Sequence, residues 1–277
     1  MYEDGESRIE DRASNIQHPG SSIQDPASRI QDPASSIQDH LASWYFWISL
    51  ILISVILFPV TFLTWLLTVL FDKRRFVLHK ITCFWADVVL GVNPYWTTHI
   101  EGKQNIDSKK TYVMVSNHQS GADILVLFRL YFHYKWVAKQ SLFYVPFIGW
   151  NMWLNGYIPI VRSRGRSKLK MMDKAENAVR AGNSVILFPE GTRTGDGKIQ
   201  TFKTGAFRLA LDTKSPILPI AIIGTFSAIN KNSLLIHKNH NIRLVILDPL
   251  PYETFSDLDP KEIATKVHDL IQKEIAK

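Results

Sequence analysis

His118 and Asp123, five positions apart, are residue types that move protons. On a single helix five positions turn through about 140°, and the two side chains would not meet. Residues 111–116, Thr-Tyr-Val-Met-Val-Ser, suit a short strand and residues 122–130 suit a helix, which leaves 117–121 as the turn between them. His118 then sits at the carboxyl end of a strand, where the bend lets the carboxylate reach the ring. A carboxylate beside an imidazole holds one tautomer and stabilises the imidazolium that forms when the ring takes a proton. Ser120 and Asp123 also have the spacing of a capping box, which puts Asp123 in a first helical turn for structural reasons compatible with the chemical one.

A second cluster follows at 184–193, Ser-Val-Ile-Leu-Phe-Pro-Glu-Gly-Thr-Arg. A buried strand running into polar residues is where sites of α/β proteins lie. Its turn presents the carboxylate of Glu190, a glycine at 191, the hydroxyl of Thr192 and the guanidinium of Arg193. The Arg193 fork suits a phosphate, and Gly191 permits close backbone approach. An isolated arginine would more simply make a surface ion pair.

The chain has one cysteine, Cys83, and no G-x-S-x-G sequence. No intramolecular disulfide or thiolate zinc cluster is open to it, and no serine-elbow nucleophile is indicated. The nine histidines show no metal-ligand spacing.

Strand-like and helix-like segments alternate through the body, with strands expected at 217–223 and 242–247 and a closing amphipathic helix at 260–275. That order predicts an α/β domain over residues 96–277, built on a largely parallel central sheet flanked by helices. An N-terminal membrane-anchoring segment precedes it. Residues 44–71 carry no charge and are dense in Leu, Ile, Phe and Trp. At about 1.5 Å per residue they would reach roughly 42 Å, beyond the ~30 Å hydrocarbon core, so the segment must tilt, kink at Pro59 or turn back there. Lys73, Arg74 and Arg75 follow directly, and the positive-inside rule puts the later domain on the cytoplasmic side of the cell (inner) membrane. Residues 72–95 form an amphipathic helix and linker, with Val77, Leu78, Ile81, Phe84, Trp85 and Val88 on one face, either packed on the core or lying in the interface.

Residues 1–43 repeat with period seven, isoleucine standing at 9, 16, 23, 30 and 37 and proline at 19, 26 and 33. The prolines oppose a coiled coil, so this part is expected to be a disordered tail, with a partner-binding array as the alternative. The tail carries a net −5 and leaves +12 on the remainder of a chain whose total is +7. A basic body fits nucleic acid, anionic membrane or an anionic substrate, and the apolar segment favours the last two. Ten aromatics between 131 and 157 suit an interfacial surface or an acyl groove, and no RNA-binding signature accompanies them.

Taken together, N-H-x-x-x-x-D at 117–123 and F-P-E-G-T-R at 188–193 resemble the glycerolipid acyltransferase family, which includes bacterial 1-acylglycerol-3-phosphate acyltransferases. The resemblance spans roughly 75–250 and takes in Lys139 ahead of Pro146 and Gly149. It implies His118 as general base with Asp123 orienting it, and direct attack on an acyl thioester without an acyl-enzyme. It places Glu190, Gly191, Thr192 and Arg193 at the acceptor, with Lys139 joining Arg193 at its phosphate. The implied reaction moves a fatty acyl group from acyl-CoA or acyl carrier protein, as co-substrate and not cofactor, to the sn-2 hydroxyl of a lysophospholipid, giving phosphatidate. Substrates, membrane lipids and acyl carrier protein are the implied partners, with no nucleic acid and no metal. One departure is the stretch 156–162, Gly-Tyr-Ile-Pro-Ile-Val-Arg, whose proline and extra residue put Arg162 in doubt as a phosphate ligand. Arg164, Arg166, Lys168 and Lys170 continue it as a basic run that suits a solvated face, coenzyme phosphates or anionic lipid equally. Other acceptors remain open within the family, and a catalytically silent lipid-binding protein explains the anchor and the basic surface equally well.

Overall fold

A computed structural model describes residues 33–161, 165–229 and 234–277. Seven strands form one sheet: β1 (Trp96–Glu101), β2 (Val113–Ser116), β3 (Tyr134–Lys139), β4 (Ile158–Ile160), β5 (Ser184–Leu187), β6 (Ile217–Ile223) and β7 (His240–Ile246). Their order is β1-β7-β6-β2-β5-β3-β4, and every neighbouring pair is parallel except β6 with β7. The expected largely parallel α/β architecture is what the chain adopts.

Central strands β2 and β5 are buried along their whole length, which is why they read as unbroken apolar runs. Their side chains alternate between two cores. Met114 and Ile186 face α2 (Phe76–Gly91) and α3 (Ala122–Phe128), while Val113, Val115, Val185 and Leu187 face α5 (Gly165–Arg180), α6 (Gly205–Thr213) and α7 (Pro260–Ile275). The chain therefore leaves β2 towards one face through α3 and leaves β5 towards the other through α6. At such a divergence the carboxyl ends of adjacent parallel strands open a crevice, here with Val115 beside Leu187. The closing helix matches its expected bounds, begun by Pro260 after an Asp259–Glu262 capping box.

The first helix, α1 (Pro33–Thr68), starts inside the expected tail and not at residue 44. Prolines recur at 19, 26 and 33, but the next position in that register is His40, so the helix can begin at Pro33 and run on without a second break. Residues of this extension are tied to the body, since Ile236 N donates to Ser43 Oγ at 2.8 Å and Asp39 lies 3.5 Å from His237. Residues 1–32 lie outside the described residues. α1 passes through Pro59 without turning back, and its 36 residues reach about 54 Å.

By length and composition α1 can cross a membrane. Its inward side carries four hydroxyls, Ser43, Ser54, Thr61 and Thr68, beside the buried Phe46 and Leu50, while Trp44, Ile48, Ile51, Ile56, Leu63 and Leu67 are exposed. Ser54, Thr61 and Thr68 donate back to the carbonyls of Leu50, Leu57 and Thr64, so the inward hydroxyls are satisfied within the helix. Large apolar side chains along the outer face are the pattern of a helix whose solvent is lipid. On α2 Val77 and Phe84 are exposed, and the packed side consists of Leu78, His79, Thr82, Cys83, Ala86, Val89 and Leu90.

α4 (Ile148–Leu154) lies beyond β3 and contributes to a pocket shared with α1 and α2. The buried Lys135 of β3 joins these parts, its Nζ donating to the carbonyls of Arg74 and Asn155, both at 2.7 Å. The second carbonyl belongs to the C-cap residue of α4, so Lys135 caps that carboxyl end, where a cation is favoured by the helix dipole.

Candidate active site

Strand β2 ends at Ser116, but its ladder with β6 continues through a side chain. Asn117 Nδ2 donates to Ile222 O and Ile222 N donates to Asn117 Oδ1, both at 2.8 Å. The amide thus replaces a strand residue while the backbone turns away.

The turn delivers His118 to Asp123. Nδ1 of the ring lies 2.8 Å from Asp123 Oδ2, and the same oxygen accepts the backbone N–H groups of Gln119 at 2.8 Å and Ser120 at 2.9 Å. Asp123 is fully buried. Of the expected capping box only the bond from Ser120 N to Asp123 is made; the N-cap of α3 is Gly121, without a side-chain cap, and Ser120 Oγ accepts from Ala122 N at 3.3 Å. The same hydroxyl bonds both N and O of Ile229, at 3.1 and 3.0 Å, which fixes the turn against the β6–β7 connection.

The second cluster closes over the first. Phe188 stacks on the His118 ring, with centroids 3.9 Å apart and planes 4° from parallel, and Thr194 N donates to His118 O at 3.0 Å. Gly191 has φ +77°, and the space beside it is taken by Lys203, whose Nζ donates to Glu190 O at 3.1 Å. Burial raises the Glu190 carboxyl above the usual range, helped by the Asp123 charge and opposed by hydrogen bonds from Gln200 and His118.

With Nδ1 engaged by Asp123, Nε2 is the ring nitrogen left for chemistry, and His118 lines a cavity of about 670 Å³. Phe46, Leu50, Leu57 and Phe58 of α1, Trp85 of α2, Phe128, Trp136 and Met152 give that cavity a largely apolar wall. Lys139, at the end of β3, and Arg193 bring cations to it. Gly121 lies beside Arg193 and Ile229, 3.8 Å separating the Arg193 guanidinium from the place a Cβ would occupy. A base, two cations and an apolar cleft suit deprotonation of a hydroxyl on an anionic, hydrocarbon-bearing molecule.

Of the residues expected at the site, His118, Asp123, Lys139 and Arg193 come together here. Gly191 and Thr192 shape the turn but do not line the cavity, and neither does Glu190. The Glu190 carboxylate is spent on two backbone amides, because its strand end points inward beneath the His118 loop. Arg162 and Arg164 lie outside the described residues, whereas Arg166, Lys168 and Lys170 are exposed on α5. Cys83 is fully buried, and burial pushes its thiol up to about 12, so it offers no nucleophile. Sequence reasoning gave Asn117 and Phe188 no role beyond their motifs and Ser120 only a cap, since nothing in their types disclosed which backbone or ring each would meet.

The acyltransferase family model matches residues 97–223. The chain is 38% identical over 200 residues to the chloroplastic 1-acyl-sn-glycerol-3-phosphate acyltransferase of Brassica napus, covering 72% of this chain and 57% of that one. It is 30% identical over 166 residues to the 1-acyl-sn-glycerol-3-phosphate acyltransferase of Haemophilus influenzae, covering 59% of this chain and 68% of that one. The chain spans between about half and three fifths of the length of its plant relatives. In fold it matches the crystal structure of the 1-acyl-sn-glycerophosphate acyltransferase of Thermotoga maritima, with TM-score 0.69, 23% identity, and coverage of 87% of this chain and 97% of that one.

Proposed function

The chain belongs to the acyltransferase family that includes the 1-acyl-sn-glycerol-3-phosphate acyltransferases, and on that premise we propose that it acylates the sn-2 hydroxyl of 1-acylglycerol-3-phosphate. The product is phosphatidate. The observation that carries the proposal is the buried His118–Asp123 pair, 2.8 Å apart, opening onto an apolar cavity that also holds Lys139 and Arg193.

In this reading Nε2 of His118 takes the proton of the acceptor hydroxyl as its oxygen attacks the thioester carbonyl. The C–S bond breaks, an ester C–O bond forms, and the imidazolium returns its proton to the departing thiolate. Asp123 stabilises the transient cation and fixes the tautomer. Lys139 and Arg193 hold the acceptor phosphate, Arg193 through its planar fork and Lys139 as a point charge. The acyl chain lies along the aromatic and aliphatic wall contributed by α1, α2 and α4. The donor is acyl-CoA or acyl carrier protein.

Residues 44–71 serve as the anchor, with 72–95 at the interface and the catalytic domain from 96 onward on the cytoplasmic side of the membrane. Lys73, Arg74 and Arg75 at the end of α1 support that side. An acceptor panel tests the function. Purified protein with labelled acyl-CoA, and in parallel with acylated acyl carrier protein, is expected to form phosphatidate from lysophosphatidate and little product from a lysolipid without an exposed phosphate. Equal turnover of a phosphate-free acceptor would contradict the proposal.

A further inference from the structure

Three consecutive backbone N–H groups follow β2, those of His118, Gln119 and Ser120, and each is received by a buried carboxylate. Asp123 Oδ2 takes the last two, and Glu190 Oε1 takes the first at 2.6 Å. The other Glu190 oxygen accepts from Gln200 N at 3.0 Å, so the side chain has both oxygens engaged by main chain. Glu190 is 2% exposed and is absent from the cavity wall. A carboxylate so placed has neither access nor spare geometry for a soluble or lipid acceptor.

The peptide of His118 is thereby gripped at both ends by one segment. Glu190 holds its N–H, Thr194 N holds its carbonyl at 3.0 Å, and Phe188 covers the face of its ring. Gln200, the other residue Glu190 grips, lies just ahead of Phe202, which belongs to the core beneath α6. The carboxylate therefore ties the turn after β2 to the segment that follows β5.

We propose that Glu190 is a positioning residue for the base and not a ligand of the acceptor: by fixing the main chain of His118 it aims the ring. The inference rests on the reading of His118 as general base. Charged groups facing this pair are Asp123 on α3, Lys203 and His268 near Glu190, and Lys139 and Arg193 at the cavity.

The test uses full-length purified protein carrying Glu190→Gln or Glu190→Asp, with lysophosphatidate varied in steady-state assays. Exchange of the His118 and Gln200 backbone N–H groups is followed without substrate. Glutamine keeps the length and one acceptor oxygen but sets an amide N–H₂ against one of these two backbone N–H groups. We expect kcat to fall about 10-fold or more while the KM for lysophosphatidate changes less than about two-fold. At least one of the two N–H groups should exchange faster in Glu190→Gln. Aspartate, one methylene short, should also leave kcat low with KM little changed. A raised KM with kcat retained would overturn the proposal in favour of an acceptor ligand, and so would unchanged exchange at both N–H groups in Glu190→Gln. If the wild-type protein acylates no acceptor, the functional reading fails, and the exchange measurement still decides whether Glu190 holds the main chain of His118.

Discussion

The His118 imidazole lies flat on the Phe188 ring, 3.9 Å between centroids. This contact joins the two clusters of the site by an apolar face, while Glu190 joins them by accepting from His118 N. Phe188 is itself held edge-on by Trp136, 5.4 Å away, so the ring cannot swing aside without disturbing β3. Phe188→Ala removes one wall of the base and leaves both of its carboxylates. Steady-state kinetics should give a kcat reduced about 10- to 100-fold with acceptor KM little changed, since ring misplacement costs rate more than binding.

Lys139 and Arg193 meet the same cavity from different strand ends, β3 and β5. Lys139→Ala or Arg193→Ala should raise the KM for lysophosphatidate by about 10- to 100-fold, the worth of a charge-assisted hydrogen bond. Arg193→Lys should recover only part of it, because a point charge cannot reproduce the fork. An unchanged KM in both alanine variants would remove the phosphate assignment.

Asn117 closes a fully buried pair with Ile222. Asn117→Ala orphans one N–H and one carbonyl of β6 and should cost about 2–4 kcal/mol in denaturant unfolding. His118→Ala, whose ring is not part of that pair, should cost less.

Lys135 is buried, and desolvation, aided by the charge of Arg75, lowers its ammonium to about 8 from 10.5. The folded state releases the proton more readily than the unfolded chain, so between about pH 8 and 10 the unfolded state carries the extra proton and stability rises with pH. Unfolding measured at pH 7, 8, 9 and 10 should show a gain of about 2 kcal/mol across that window, and Lys135→Met should flatten it. Above that window Tyr134 and Tyr157, both raised by burial, work in the opposite direction.

Much of this is legible in the sequence. The bend that joins His118 to Asp123 follows from strand and helix periodicities that cannot both include residue 119, and the closing helix follows from its amphipathic pattern after Asp259 and Pro260. The destination of the Glu190 carboxylate was not legible, because a glutamate after a strand has the same local pattern whether it faces a ligand or a neighbouring loop. Which side of α2 packs on protein was not legible, because apolar periodicity finds the side hidden from water without saying whether core or interface hides it; Leu78 is buried while Val77 and Phe84 are exposed. The start of α1 was visible only as a missing proline at position 40, a signal overshadowed by the repeat around it.

The central claim is that His118 deprotonates the acceptor. The most direct measurement is the rate of phosphatidate formation by purified wild-type protein and by His118→Ala, with labelled acyl-CoA and saturating lysophosphatidate. The account predicts turnover in the wild type and a loss of about 10³-fold or more in the variant, with lysophosphatidate binding retained. Comparable turnover by His118→Ala would contradict it.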